Sequence, residues 1–282
     1  MLKNVHDFFL PVIRQINCDN PIKDQQKNVR CGFTLVEILV VISIVAILMA
    51  IIVPSLRKAR EQGKRADCLS NLKQLTHAWY MYAIDYERLC SPLTLWQDQR
   101  WNFWVADGPP IPDNDVGNTE QAIMDGVLWP YTQSIKLYKC KSDRGEPLRT
   151  DPSERLRSYS MSVKMGGAPY SSFSKLEEIR RPGEKMVFID ATGLLKWIEG
   201  PFEIVVPGEP CPPKEWPPWR DLNYITTRHS DGCNLSFADG HCEYWRWQDP
   251  RTVKLANLKI NPEDASENNP DLIRLYEVLK KH

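Results

Sequence analysis

From Thr34 to Val53 the chain reads TLVEILVVISIVAILMAIIV, twenty residues in which Glu37 is the only ionisable side chain. Coiled as an α-helix, such a segment is about 30 Å long, roughly the thickness of a bilayer's hydrocarbon core. Val and Ile dominate, and no turn signal interrupts the run. A buried helix of a soluble protein is rarely so long and so uniform, so a transmembrane helix is predicted. Elsewhere the chain is polar and balanced, with 36 Lys plus Arg against 36 Asp plus Glu, which leaves no bulk charge to attract nucleic acid. A length of 282 residues accommodates one ordinary globular domain besides the anchor.

The order of polar and apolar segments carries the next inference. A secretory signal places a short apolar core before a small-residue cleavage site. Here a hydrophilic stretch, NCDNPIKDQQKNVRCG, comes first and the apolar run follows at once. Cleavage after Gly32 would therefore remove only polar sequence and leave the whole apolar helix on the mature chain. Glu37 is the costly residue of that helix: ionisable groups inside a membrane need partners and mark function. A glutamate resting near the headgroups with no task is the plainer alternative.

Gly32-Phe33-Thr34-Leu35-Val36-Glu37 resembles the processing site of type IV prepilins and type II secretion pseudopilins. The resemblance implies that a membrane-embedded prepilin peptidase cuts after Gly32 and methylates the new N-terminal Phe33. Glu37 then becomes the family's acidic fifth residue, and Pro54 falls where these helices commonly carry proline. A new amine on Phe33 of one subunit and Glu37 of its neighbour can neutralise each other out of water. Repeated head to tail, that contact builds an open helical filament.

The implied fold is α+β and pilin-like, a long N-terminal helix packed on an antiparallel sheet. The expected organisation is a cytoplasmic leader over 1–32, a transmembrane segment over 33–54, an amphipathic continuation over 55–87 and a periplasmic domain over 88–282. Flanking charge points the other way: Arg57, Lys58, Arg60, Lys64, Arg65 and Lys73 outnumber Arg14, Lys23, Lys27 and Arg30. Counted alone, this would keep the C-terminal domain in the cytoplasm. The family resemblance and the cysteine usage favour export. Cys18 and Cys31 precede the cut, and the six that remain suit an oxidising compartment either as pairs or as buried free thiols.

Past Pro54 the helix should continue to about Asp85, with Cys68, Leu72, Leu75, Trp79 and Tyr82 forming one apolar stripe. Short strands are predicted at 185–189, 194–198, 202–206, 222–226, 234–238 and 243–247. The segment 96–126 reads as an irregular insertion, 206–219 as a proline-rich loop, and Asn269-Pro270 as the start of a C-terminal helix. Asp239-Gly240 between alternating runs predicts a hairpin with a two-residue turn. That register sets Phe237 against Cys242, Leu235 against Tyr244 and Cys233 against Arg246. It also excludes a Cys233–Cys242 disulfide, because the two lie too far apart along the ladder.

His229, nine residues, then Asp239-Gly240 resembles the His-x9-Asp-Gly element of a bacterial subfamily of prepilin-like proteins. CLSNLKQL, LWPY, LYKCKSD and RSYSMS resemble it further, with Lys141 standing where that subfamily's pattern has proline. His229, Asp239 and His241, with Asp231, could hold zinc if they converged, but a turn-forming Asp239 and a backbone-bonded His229 are the favoured reading. No resident cofactor is expected. A divalent ion such as Ca2+ is the exception to consider, since Asp107, Asp113 and Asp115 offer oxygens without the glycine and bidentate glutamate of a recognised calcium loop.

No nucleophile elbow, phosphate loop, zinc-protease helix or dinucleotide fingerprint occurs. The expected role is a pseudopilin, a non-enzymatic subunit of a type II secretion pseudopilus anchored in the inner membrane. Its expected partners are prepilin peptidase, other pseudopilin subunits, the inner-membrane assembly platform with its ATPase, and membrane lipid. Alternatives are a minor pilin of a surface fibre, or a membrane-anchored metal-dependent enzyme or glycan-binding protein using the His229 region.

Overall fold

The computed structural model describes residues 34–92, 103–105, 120–143, 156–166, 173–191, 202, 225–257, 259 and 268–280. The chain divides into two units, one ending at Ile52 and the other beginning at Val53. The long helix α1 (Leu35–Tyr86) contributes to both and carries Pro54 within it. In the first unit no described side chain is buried, and the helix is long and apolar enough to cross a membrane. With nothing packed on Leu35, Val41, Ile47 or Ile51, lipid is the solvent that suits this surface.

In the second unit α1 changes character. Cys68, Leu72, Leu75, Trp79 and Tyr82 are all buried, as the predicted stripe required, together with Thr76, Ala78 and Ala83. Steps of three and four residues keep these side chains on one face. The partner is a four-stranded antiparallel sheet in the order β1 (Tyr159–Met161), β2 (Met186–Asp190), β3 (Gly232–Phe237), β4 (Cys242–Arg246). Helix α2 (Glu120–Met124) adds Ile123 to the same core, and Leu128, at the N-cap of the short helix α3 (Trp129–Thr132), adds its side chain there too.

Alternation along β3 separates two cores. Cys233, Leu235 and Phe237 join a cluster with Leu255 of α4 (Pro250–Ala256) and Leu272, Leu275 and Leu279 of α5 (Pro270–Leu279). Val187 and Phe188 of β2 instead join the core beneath α1. A bulge between Met186 and Phe188 allows neighbouring residues of β2 to serve different cores. Thr76 of α1 donates to Ser236 Oγ at 2.7 Å, so a buried polar pair sits between helix and sheet. Asn269 caps α5 through the amides of Asp271 and Leu272, as Asn-Pro at a helix start leads one to expect.

Two sequence expectations need correction. The β3–β4 register is displaced by one residue: Ser236 faces Cys242, Leu235 faces Glu243, Asn234 faces Tyr244 and Cys233 faces Trp245. The turn is longer than the two residues predicted. The Gly240 amide donates to Phe237 O at 2.9 Å, the Phe237 amide donates to His241 O at 3.0 Å, and Gly240 has φ 90°. This is the three-residue loop with a left-handed glycine closing it. Cys233 and Cys242 still lie well apart along the ladder, so the exclusion of a bond between them stands. The second correction concerns the insertion at 96–126, which holds the helix α2 at its end. Of the two states left open for the cysteines, the structure has free thiols at Cys68, Cys90, Cys140, Cys233 and Cys242.

The strand expected at 194–198, the loop at 206–219 and the aspartates 107, 113 and 115 lie outside the described residues. Of the strands expected at 202–206 and 222–226, Phe202 and Ile225 form isolated bridges with Ser162 and Ala191. Strand β1 was not anticipated as a strand.

Two substitutions probe this frame. Leu72→Ala empties a fully buried site and should cost about 2–5 kcal/mol in urea unfolding of the detergent-solubilised chain. At Gly240 an added Cβ meets nothing closer than His77 at 3.8 Å, so Gly240→Ala tests backbone conformation alone. Its expected cost is about 1–2 kcal/mol.

Candidate functional site

The N-terminal site is legible only from Thr34 onward, since Gly32 and Phe33 lie outside the described residues. Glu37 Oε2 accepts hydrogen bonds from the Thr34 amide and hydroxyl, both at 2.8 Å, and Thr34 Oγ1 accepts from the Glu37 amide at 3.2 Å. This reciprocal arrangement is a capping box: two first-turn amides that have no helical acceptor are satisfied by side chains. The Thr-x-x-Glu spacing was visible in the sequence, but Glu37 was read there only as an assembly residue. Its carboxylate is exposed, so only local donors compete with an incoming partner.

The residues of the His-x9-Asp-Gly element separate into two places. Asp239 and His241 meet at the exposed β3–β4 turn, with Nδ1 2.5 Å from Asp239 Oδ1 and the His241 amide donating to the same oxygen at 3.0 Å. Burial works against the Asp239 charge, but these hydrogen bonds outweigh it and hold the carboxyl below its ordinary range. Gly240 supplies the left-handed residue of the turn. His229 precedes the other end of β3, and six strand residues at about 3.3 Å each stand between the two groups. The trio His229, Asp239 and His241 therefore does not converge on one ion.

His229 belongs to a different group. It lies in a turn, Arg228–Asp231, in which His229, Ser230 and Asp231 have φ of 61°, 69° and 61°. Three successive non-glycine residues in the left-handed region are strained and persist only where surrounding contacts over-determine them. The Tyr244 hydroxyl helps to hold the turn by donating to the carbonyls of His229 and Ser230. The turn sends the imidazole inward, where it is 2% exposed. Nε2 stands 3.2 Å from Cys140 Sγ and 3.4 Å from Asp190 Oδ2, while Nδ1 stands 3.2 Å from Glu61 Oε1.

Donor atoms of Cys68, Cys140 and His229 all lie within 4.8 Å of one another, a combination that could hold a metal. Cys68 comes from α1, Cys140 from the chain after α3, Asp190 from the end of β2 and His229 from the turn before β3. Sequence reasoning missed this meeting because Cys140 and His229 are 89 residues apart and no Cys-x-x-Cys pair announces it.

Electrostatics in this pocket are tight. Arg228 is paired with Asp190 at 2.5 Å and with Asp143 at 2.9 Å, and both carboxylates are buried. Asp190 Oδ2 accepts no hydrogen bond. A hydrogen bond from the Cys140 thiol holds Cys68 below the ordinary thiol range and raises Cys140 above it. Burial disfavours the His229 imidazolium, but Asp190 and Cys68 more than offset this and lift it to about 9. Burial likewise opposes the Glu61 charge, and the Ser142 hydroxyl, Lys64 and His229 outweigh it.

Residues 27–53 match the family model described as the prokaryotic N-terminal methylation motif. The chain is 30% identical to the type II secretion system core protein G of Pseudomonas aeruginosa over 134 residues, 43% of this chain and 89% of that protein. It is 38% identical to the protein of the same name from Aeromonas hydrophila over 63 residues, which span 22% of this chain and 44% of that relative. Competence protein ComGC of Halalkalibacterium halodurans is 37% identical over 60 residues, 21% of this chain and 59% of that protein. No solved structure matches the chain.

Replacing Arg228 with Met would strand the Asp190 and Asp143 carboxylates in the interior. Breaking a buried pair from one side costs about 3–5 kcal/mol, so Arg228→Met should lower urea stability by that amount. Arg181→Met, which removes an exposed pair with Glu184, should change it by less than about 1 kcal/mol.

Proposed function

The chain belongs to the type IV prepilin and type II secretion pseudopilin superfamily, and from that premise we propose that it works as a pseudopilin, a filament subunit made with a removable polar leader. The observation that carries the reading is the unpacked apolar half of α1 with Glu37 as its single charge, directly after the Gly32-Phe33 junction. Prepilin peptidase cuts that junction and methylates Phe33. The leader stays in the cytoplasm, the apolar segment spans the inner membrane and the remaining domain is exported to the periplasm. Assembly platform and ATPase then draw subunits from lipid into a short periplasmic filament.

Glu37 has two duties that follow one another. In the free subunit its carboxylate caps its own helix. In the filament it faces the amine of a neighbouring Phe33, where charge neutralisation in a dry interface outweighs a local cap. The reading is of a structural subunit rather than an enzyme. What supports this is the relatedness to secretion core proteins and the burial of the one mixed Cys/His cluster among the described residues. A surface or competence-type fibre is the second reading, favoured by the similarity to ComGC.

Mass spectrometry of membrane-extracted protein should show a chain beginning at methylated Phe33; a functional chain retaining Met1 to Gly32 would defeat the proposal. Glu37→Gln separates the two duties, because an amide keeps the capping box and loses the charge. Assembly should fail in Glu37→Gln as fully as in Glu37→Ala, with both proteins still inserted in the membrane. Normal filaments from Glu37→Gln would exclude amine pairing. Deleting the gene and scoring secreted enzymes against DNA uptake and surface fibres decides between the two filament types.

A further inference from the structure

We infer that Cys68, Cys140, His229 and Asp190 form a structural zinc site inside the globular domain, independent of the filament reading. Zinc bound by thiolate at about 2.3 Å and by imidazole or carboxylate at about 2.0–2.2 Å has tetrahedral edges of roughly 3.3–3.8 Å between ligand atoms. Cys140 Sγ to His229 Nε2 is 3.2 Å, and His229 Nε2 to Asp190 Oδ2 is 3.4 Å. Cys68, Cys140 and His229 hold their donor atoms within 4.8 Å of one another, and Asp190 reaches the group through His229 Nε2, so the carboxylate is the donor that must move to complete the tetrahedron.

The surroundings are those of a ligand set rather than of packed thiols. His229 Nδ1 faces Glu61 Oε1 at 3.2 Å, and Glu61 is itself fixed by the Ser142 hydroxyl at 2.7 Å. A carboxylate on Nδ1 selects the tautomer whose Nε2 lone pair points into the cluster, the usual outer support of a zinc-bound histidine. The Ser142 amide points at Cys140 Sγ at 3.4 Å, a donor suited to a thiolate. Asp190 Oδ2 is the second, independent sign: a fully buried carboxylate oxygen with no hydrogen bond, facing the same Nε2. A buried carboxylate oxygen needs a positive partner: the His229 imidazolium can serve in the metal-free protein, and a bound cation takes its place.

Binding can be written with its charges. Every thiol and imidazolium proton of the cluster passes to solvent, leaving two thiolates, a neutral imidazole and one carboxylate around a divalent ion. The net single negative charge faces Arg228, which holds Asp190 from the other oxygen and is shared with Asp143. Two sulfurs, one nitrogen and one oxygen in a closed shell suit zinc over calcium or magnesium, which take all-oxygen sites. Cys68, Cys140 and Asp190 are fully buried and His229 nearly so, which leaves no open position for a reacting water. The ion is a clamp joining α1, the segment after α3, the end of β2 and the turn before β3.

The test uses the full chain, extracted from membranes in detergent and purified without metal-affinity resin. Elemental analysis should give one zinc per chain, and exchange with Co2+ should give thiolate-to-cobalt charge-transfer absorption with intense tetrahedral ligand-field bands. Cys68→Ser and Cys140→Ser should lose both signals, whereas Cys233→Ser and Cys242→Ser, thiols outside the cluster, should keep them. Glu61→Gln should retain the fold but release zinc to a competing chelator about 10–100-fold more readily. Should the two ligand variants fail to fold, the wild-type zinc ratio and cobalt spectrum decide on their own. A metal-free wild-type chain, a Cys68–Cys140 disulfide in unreduced peptide maps, or cobalt spectra without thiolate character would overturn the proposal.

Discussion

The domain depends on one stripe of α1. Cys68, Leu72, Leu75, Trp79 and Tyr82 are each fully or almost fully buried and form one cluster with Val187 and Phe188 of β2, Tyr159 and Met161 of β1, Ile123 and Leu128. Burial of apolar area is the largest favourable contribution to folding, yet it has no direction. A helix could rotate or slide over a sheet and still hide much of the same surface. Polar contacts beneath the stripe remove that freedom: Thr76 to Ser236 at 2.7 Å, Asn71 to Lys139 O at 3.2 Å, and Glu61 to His229 at 3.2 Å. Thr76 is buried, where a polar group without a partner is costly, and Asn71 and Glu61 add half-buried points of the same kind. Apolar burial supplies the energy, and the polar points select the alignment.

The same helix answers to two solvents. Up to Ile52 its side chains are apolar on all sides and unpacked, and from Cys68 onward they are apolar on one side only. Between them Arg57, Lys58, Arg60, Lys64 and Arg65 form a basic stretch broken by Glu61, whose carboxylate turns toward His229 and Lys64. Basic residues beside an apolar span suit an anionic headgroup region, and within the domain Lys64 pairs with Glu61 while the Arg65 guanidinium lies over the Tyr244 ring.

How much of this was legible follows from the range of each interaction. The helix, its stripe, the capped start of α5 and the hairpin depend on residues a few positions apart, and period and turn chemistry reveal them. The hairpin register was missed by one residue because Asp-Gly suits both a two-residue turn and a three-residue loop with left-handed glycine. Choosing between them depends on where Phe237 and Cys242 pack, which is tertiary information. Cys68, Cys140, Asp190 and His229 share no local pattern. An even cysteine count suggested pairing with one another, whereas two of the thiols meet a histidine instead. Adjacency to Asp239 in the sequence also drew His229 to the wrong partners.

His229 shows why the strained turn matters. Left-handed φ at three consecutive non-glycine residues costs of order 1–3 kcal/mol each. A relaxed backbone would bring the chain into β3 without aiming the imidazole at Cys140. The structure keeps the strain because Tyr244 ties the turn from outside, Arg228 anchors its first residue to Asp190 and Asp143, and Glu61 receives Nδ1. All of these contacts fix the orientation of one nitrogen. Hydrophobic packing alone would be served as well by a leucine, which needs neither the strained backbone nor four polar supports. The strain that aims Nε2 at Cys140 Sγ and the buried Asp190 Oδ2, with Cys68 in the same group, is therefore the strongest physical reason to assign that centre a cation.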